Sequence, residues 1–364
     1  MKQRYSNFEL LRIVAMIMII LGHCVLYTAQ DVKPYLGSLD NLGWLIKAFT
    51  IVAVNCFFLL TGYFSQDERV KIGKGLKLWL KTIIYSISIY VLLLIFGFVE
   101  FDKKSAINYM FPVLTKKYWF ILTYFVLVLL QPFLCKMISK TSKREHTFLI
   151  LVDLLFFSIH ETFIPVAKTL DDTQGYGIIC ACLLFIIGKW LNKYGECYIR
   201  KIKSIVWLIL YMTASGMIFL SNYLIMKFDI AGGLSSRGNF YTYNSITVLV
   251  SSVCLYCFFI TLDKTIKYNK LINWGGRNCV AGYLITGHPL LIGFLWTDVF
   301  KMQIYSSNVL QYSLVALVLS VASLMFCIVI DKCLECVLKI FGIYGLLDKL
   351  DQRLARICSY DNGV

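Results

Sequence analysis

In the stretch LLRIVAMIMIILGHC, residues 10–24, an arginine and a histidine stand eleven residues apart inside an otherwise apolar run. On an α-helix that spacing is about three turns with about 20° left over, so Arg12 and His23 share a face and lie about 16 Å apart along the axis. An ionisable group within a membrane span costs up to about 3 kcal/mol on insertion scales, and those that persist usually face a cavity or a partner. An imidazole, with an ordinary pKa of about 6.5, can take the proton of a hydroxyl as that hydroxyl attacks a thioester, or can carry an acyl group itself. A guanidinium offers a fork of donors suited to phosphate or carboxylate. The pair suggests group transfer from an anionic carrier. Two plainer readings stand beside it: an Arg near a span end that snorkels to the headgroups, and a His that merely packs.

Other residues could complete such a site. His160 and Glu161 fall at about the depth of His23 in a later span, and Glu161 could orient the imidazole as the third member of a triad does; it could equally lie at the external water line. Asp153 is a deeper alternative. The segment from Arg69 to Lys81, with Lys71, Lys74, Gly73 and Gly75, reads as an electropositive mouth for phosphates or as a topology signal touching anionic lipid. Trp119 could wall the site or anchor a helix end at the interface. Lys47 is expected to snorkel outward and Asp298 to be interfacial. His288, beside Pro289, reads as a structural residue of a broken helix. The loop 227–241 mixes glycines, hydroxyls, Arg237 and aromatics, a composition suited to stacking a sugar or simply to a loop. Glycine-rich nucleotide motifs, zinc spacing and a Ser nucleophile elbow are all lacking, and no metal is expected.

These residues need a membrane to hold them. The 364-residue chain is 59% hydrophobic and 16% charged, with mean hydropathy +0.70, more apolar surface than a water-soluble globule can cover. Runs of about 20 residues lie near 8–28, 42–64, 77–99, 118–138, 147–166, 175–191, 204–226, 242–262, 276–298 and 308–330. The expectation is an all-α polytopic membrane bundle of about ten transmembrane helices, a single domain over 1–364 with its spans within 8–330 and a short tail at 331–364. With the N-terminus inside, 25 of the 36 basic residues fall in inside segments and nine outside, Arg12 and Lys47 lying within spans. Both termini are therefore expected to be cytoplasmic. The first span lacks a small-residue cleavage signature and reads as a retained helix. The 13 cysteines sit mostly within apolar runs, as small reduced hydrophobes.

The stretch NFELLRIVAMIMIILGHC resembles the first helix of membrane acyltransferase family 3, marked by an Arg, ten residues and a His. NCFFLLTGYF (55–64), KYWFILTYFVLVLLQPFL (117–134) and AGYLITGHPLL (281–291) are similar to that family's second-helix, fourth-helix and penultimate-helix signatures, in the same order. The resemblance implies ten transmembrane helices in a bacterial-type cytoplasmic membrane and transfer of an acyl group, acetyl being the expected one, from cytoplasmic acyl-CoA (acetyl-CoA as co-substrate). The implied acceptor is a hydroxyl of a cell-envelope or exported polysaccharide or its lipid-linked precursor. His23 matches the family's catalytic His and Arg12 its essential Arg; Arg69, Lys71, Lys74 and Trp119 are the candidate contacts to the coenzyme. Where the family often has two Arg residues separated by one, this chain has Arg69, Val70 and Lys71, which keeps charge but loses forked recognition at the second position. The family's appended soluble domains are not matched, since only about thirty residues follow the last span.

The basic surplus is scattered among short connections between apolar runs, which speaks for topology and against nucleic acid. The alternative function is a transporter or flippase of envelope glycan precursors, which inverted repeats would favour; none is evident. A glycan polymerase or ligase would call for a larger external loop than the roughly eighteen-residue connections here.

Overall fold

The computed structural model describes residues 5–29, 38–65, 72–163, 173–228 and 239–359. Among these residues all regular structure is helical, as lipid requires, because a helix satisfies its own backbone where no water can. In chain order the helices are α1 (Ser6–Thr28), α2 (Ser38–Thr50), α3 (Val52–Phe64), α4 (Gly73–Ile95), α5 (Lys103–Met110), α6 (Trp119–Lys140), α7 (Lys143–Leu154), α8 (His160–Phe163), α9 (Ile178–Trp190), α10 (Glu196–Ile199), α11 (Ser204–Lys227), α12 (Ile246–Thr261), α13 (Lys270–Asn278), α14 (Val280–Thr286), α15 (Val309–Ile340) and α16 (Ile343–Ser359).

Eight units among the described residues are long and apolar enough to cross a membrane: 6–28, 39–64, 75–95, 119–140, 143–163, 178–199, 204–227 and 309–340. Two of the ten expected spans differ. The run 242–262 begins as a short loop and becomes helical only over Ile246–Thr261. The run 276–298 is interrupted: α13 and α14 meet at Cys279, a turn follows α14, and a π-helical turn resumes over Leu295–Val299. Its breaker is the Gly287-His288-Pro289 sequence, since Pro289 lacks the amide that would continue the ladder. Within the unit 39–64, α2 and α3 are separated by a single turn residue, Ile51.

Four helices among the described residues start at a side-chain cap. Asp102 accepts from the Ser105 amide, Ser142 and Glu145 form a reciprocal capping box, and Asn269 and Asn308 each accept two amides of the first turn. Within the bundle, hydroxyls bond back to the carbonyl four residues earlier, as Thr61, Thr82, Ser252, Thr286 and Ser320 do.

The helices α3 and α9 cross closely. A Cβ on Gly62 would collide with the Phe185 backbone, and one on Gly188 with the backbone at Leu59 and Tyr63. Two glycines thus let the helices approach to backbone contact, the small-residue packing that lipid favours. Around this pair Phe58, Leu59, Leu60, Leu184 and Phe185 are almost wholly buried. The helix α1 packs against α2, α3, α12, α13, α14 and α15, so the helix carrying Arg12 and His23 is shared by most of the bundle.

Candidate active site

His23 opens onto a cavity of about 550 Å³. One wall is α1, from Met16 through Ile19 and Gly22 to Leu26; facing it are Trp44, Lys47 and Thr50 of α2, Val54 and Phe57 of α3, and Val280 and Tyr283 of α14. Trp119 and Phe120, at the start of α6, close a third side. The cap comes from two short loops, through Gln174 and Tyr176 and through Tyr241, Thr242 and Tyr243. His23 lines the cavity, and its Nδ1 is buried without a hydrogen-bond partner. Each of the four segments quoted above supplies a wall: His23 from the first, Phe57 from the second, Trp119 and Phe120 from the third, Tyr283 from the fourth.

Aromatic packing and backbone hydrogen bonds hold the cap. Trp119 meets Tyr176 edge-on at 4.5 Å and lies 5.5 Å from Tyr243, while Tyr176 and Tyr243 are 5.1 Å apart. The Tyr243 amide donates to the Gln174 carbonyl at 3.2 Å, joining the two loops. Asn55, wholly buried in α3, donates to the Tyr243 carbonyl at 2.9 Å and to Ser252 at 3.2 Å. Gln174 has φ 53°, a left-handed conformation uncommon outside glycine and often found at functional sites. Burial pushes the Tyr176 phenol's pKa up, which keeps it a neutral hydrogen-bonding group at the rim.

Glu161 supports this cap from behind. Its carboxylate accepts from the Asn244 side-chain amide, which also donates to the Phe157 carbonyl at 3.1 Å. No hydrogen bond joins Glu161 to His23, and Glu161 is not part of the cavity lining. Asn244 follows Tyr243 directly, so the carboxylate reaches the cavity through a backbone rather than through the imidazole. Lys47 differs from its expected outward course: its ammonium lies 4.6 Å from the Trp44 ring centre and 5.4 Å from that of Tyr241, and it lines the cavity. Two aromatic rings thus flank the ammonium within cation–π distance.

Arg12 lies at the other end of α1. It donates to Glu9 Oε1 at 2.7 Å with its side chain 29% exposed, and it does not line the cavity, whose α1 wall stops at Met16. Glu9 lies in the first turn of α1, three residues before Arg12, where the i,i+3 geometry of the helix brings the two together. Lys74 lies in α4 with its side chain outside the described residues, as are Arg69 and Lys71; the loop 227–241 is described only at its ends. His288 is fully buried, stacked at 5.0 Å on Tyr109 and edge-on to Tyr118, with Nδ1 accepting from the Leu290 amide. It is part of the broken-helix packing. The described cysteines are free thiols.

A family model for the acyltransferase domain matches residues 5–332. The chain belongs to acyltransferase family 3. It is a multi-pass membrane acyltransferase whose family match runs from the start of α1 to within α15. Neither the curated proteins nor the solved structures include one that matches it.

Sequence reasoning about this acyltransferase reached His23 and Trp119, which the fold brings into one cavity. It missed Lys47, Asn55, Gln174, Tyr176 and Tyr243. Asn55 was visible as a lone amide in an apolar helix, and Tyr283 lay inside a quoted segment. Gln174, Tyr176 and Tyr243 carry no periodic signal; they sit on short loops whose approach to His23 is a tertiary event.

Proposed function

We propose that the protein transfers an acyl group, acetyl in the first instance, from cytoplasmic acyl-CoA to a hydroxyl of a cell-envelope or exported glycan, with His23 as the reacting base. The carrying observation is an imidazole with an unpartnered buried nitrogen on a cavity of about 550 Å³, at the meeting point of the four family-like segments. The acceptor hydroxyl gives its proton to His23 as its oxygen attacks the thioester carbonyl; a carbon–oxygen bond forms, the carbon–sulfur bond breaks, and the proton passes to the departing thiolate. Trp119, Phe120 and Phe57 supply an apolar wall for a short acyl group, while Gln174, Thr242 and the tyrosines offer hydrogen bonds and ring faces to a sugar.

In this reading both termini are cytoplasmic. Arg12, with Lys74 and the basic segment holding Arg69 and Lys71, then forms the cytoplasmic approach for the coenzyme's phosphates. Its pantetheine arm spans the depth between Arg12 and His23. These basic residues fit that use in charge, and the Arg12 guanidinium has donors beyond the one held by Glu9.

The test is transfer of radiolabel from acetyl-CoA to candidate glycans in membranes, comparing wild type with His23→Ala, Arg12→Ala and Arg12→Lys at matched expression. Loss of label with His23→Ala supports the reading; transfer equal to wild type sinks it. Recovery with Arg12→Lys would assign Arg12 a simple charge, and failure to recover a forked contact.

A further inference from the structure

Back to back with the His23 chamber lies a second void of similar size, about 550 Å³, where α1, α2 and α15 meet. Its walls are Val14, Ile17 and Leu21 of α1, Leu45, Ile46 and Phe49 of α2, and Leu317 and Val321 of α15, with no polar atom exposed on them. Leu317 and Val321 are 45% and 39% exposed, and their neighbours Leu314 and Val318 are more exposed still. This surface belongs to spans, so hydrocarbon faces the groove. Two residues line both voids: Met18 and Thr50. The partition between the lipid-facing groove and the chamber is thus one side chain thick at these two residues. Gly22 keeps it thin, since a Cβ there would press on Thr50 Oγ1 at 3.3 Å. Met18 is unbranched with three rotatable bonds, a side chain that can move aside at little cost.

The two voids differ in the way an amphiphile does. The groove, running along α1 from Leu21 back to Val14, is an apolar track about 10 Å long. The chamber, toward the loop-capped end of the same helix, presents an ammonium, an amide, a histidine and tyrosine hydroxyls. We infer that the acceptor arrives from within the bilayer as a lipid-linked glycan, its hydrocarbon chain lying in the groove of α1, α2 and α15 and its glycan passing the Met18–Thr50 partition to His23. The inference rests on the proposed acyl transfer for the identity of the head group, and on the shared walls for the route. It places substrate selection on a lipid-facing surface, apart from the chamber that performs the chemistry.

The experiment uses the full chain in lipid nanodiscs with two acceptors, one glycan attached to a long-chain alkyl diphosphate and the same glycan without a lipid. Val321→Trp and Leu317→Trp fill the groove from α15, and Val321→Leu is the conservative control. Both tryptophans lie on the lipid-exposed face, where added bulk meets solvent lipid rather than packed core. The expected result is a fall of about tenfold, equivalent to about 1.4 kcal/mol, in the ratio of kcat/KM for the lipid-linked over the lipid-free acceptor, with Val321→Leu close to wild type. A ratio unchanged by either tryptophan overturns the route, as does an equal loss on both acceptors. Photocrosslinking, which needs no turnover, separates this from failure of the acyl-transfer reading. A diazirine placed on the first carbons of the alkyl diphosphate chain should label α1 or α15 in wild type and several-fold less in Val321→Trp. Labelling by a diazirine phosphatidylcholine that the alkyl diphosphate glycan does not compete away would make the groove a site for bulk lipid and overturn the proposal. Absence of transfer to either acceptor, with the competed crosslink intact, would instead discard the acyl-transfer reading and retain the groove.

Discussion

The two ends of α1 are held by different interactions. Around its N-terminal end, charged side chains meet one another: Arg12 with Glu9, Arg200 with Glu196 and Asp263, and Lys81 with Asp331 and Glu335. Lys81 lies 2.8 Å from the nearly buried Asp331, which also accepts from the Tyr85 hydroxyl at 3.0 Å. Around His23 the links are mostly neutral: Tyr241 to the Trp44 carbonyl, Thr28 to Tyr312, Asn55 to Tyr243, with Glu161 on Asn244 as a buried carboxylate. Ion pairs of this kind tie one conformation together, because separating buried partners leaves a charge without compensation. Aromatic contacts and loop backbone leave a chamber that a substrate can enter. The end of the bundle rich in ion pairs is braced, whereas His23 sits where bracing is lighter.

The largest effect is expected at His23. Removing the imidazole should lower acyl transfer by about 10²–10⁴-fold, the range of general-base contributions, with unchanged protein in the membrane by immunoblot; a loss below tenfold would move the chemistry elsewhere. At the opposite end, Lys81→Ala should leave activity per folded molecule near wild type yet destabilise the fold by about 3–5 kcal/mol, as an unpaired buried Asp331 requires. Thermal unfolding in detergent, followed by tryptophan fluorescence, reads this out. Replacing both partners, Lys81→Met with Asp331→Leu, should restore much of the loss, and failure to do so would point to a role beyond pairing.

Smaller effects sharpen the contrast. Glu161→Ala should cost about 1–3 kcal/mol, because Asn244 loses its buried acceptor, and should raise the acceptor KM several-fold while kcat changes little. A fall in kcat with a displaced pH–rate profile would instead tie Glu161 to the imidazole. Smallest of all, Lys77→Ala removes the exposed contact to Asp348, 2.8 Å long but 61% exposed on the acidic side. Its effect on unfolding should be about 0–1 kcal/mol and should shrink further in salt.

How far the sequence carries can be judged from individual elements. Run length and hydropathy located α1, α4, α6, α11 and α15, because a helix in lipid needs about 20 apolar residues whatever its neighbours. The same measure read 276–298 as one span, where Gly287 and Pro289 open a turn that window averaging smooths over. It also set Lys47 outward, since a lone cation in a span has lipid headgroups as its default partner; the rings of Trp44 and Tyr241 replaced that default only after α2 and the 239–245 loop had packed together.

The residues capable of chemistry were present in the linear text. Arg12 and His23 share a helix face by their spacing, and four ordered segments mark the family, since local geometry and pattern need no third dimension. Tertiary structure alone decided that His23 faces a chamber closed by Trp119, Tyr176 and Tyr243, that Glu161 answers to Asn244, and that Met18 and Thr50 separate this chamber from a groove in the lipid. Those pairings join residues up to 220 positions apart, and in a bundle such contacts are set by how helices cross and how loops fold back, which side-chain spacing along one helix does not encode.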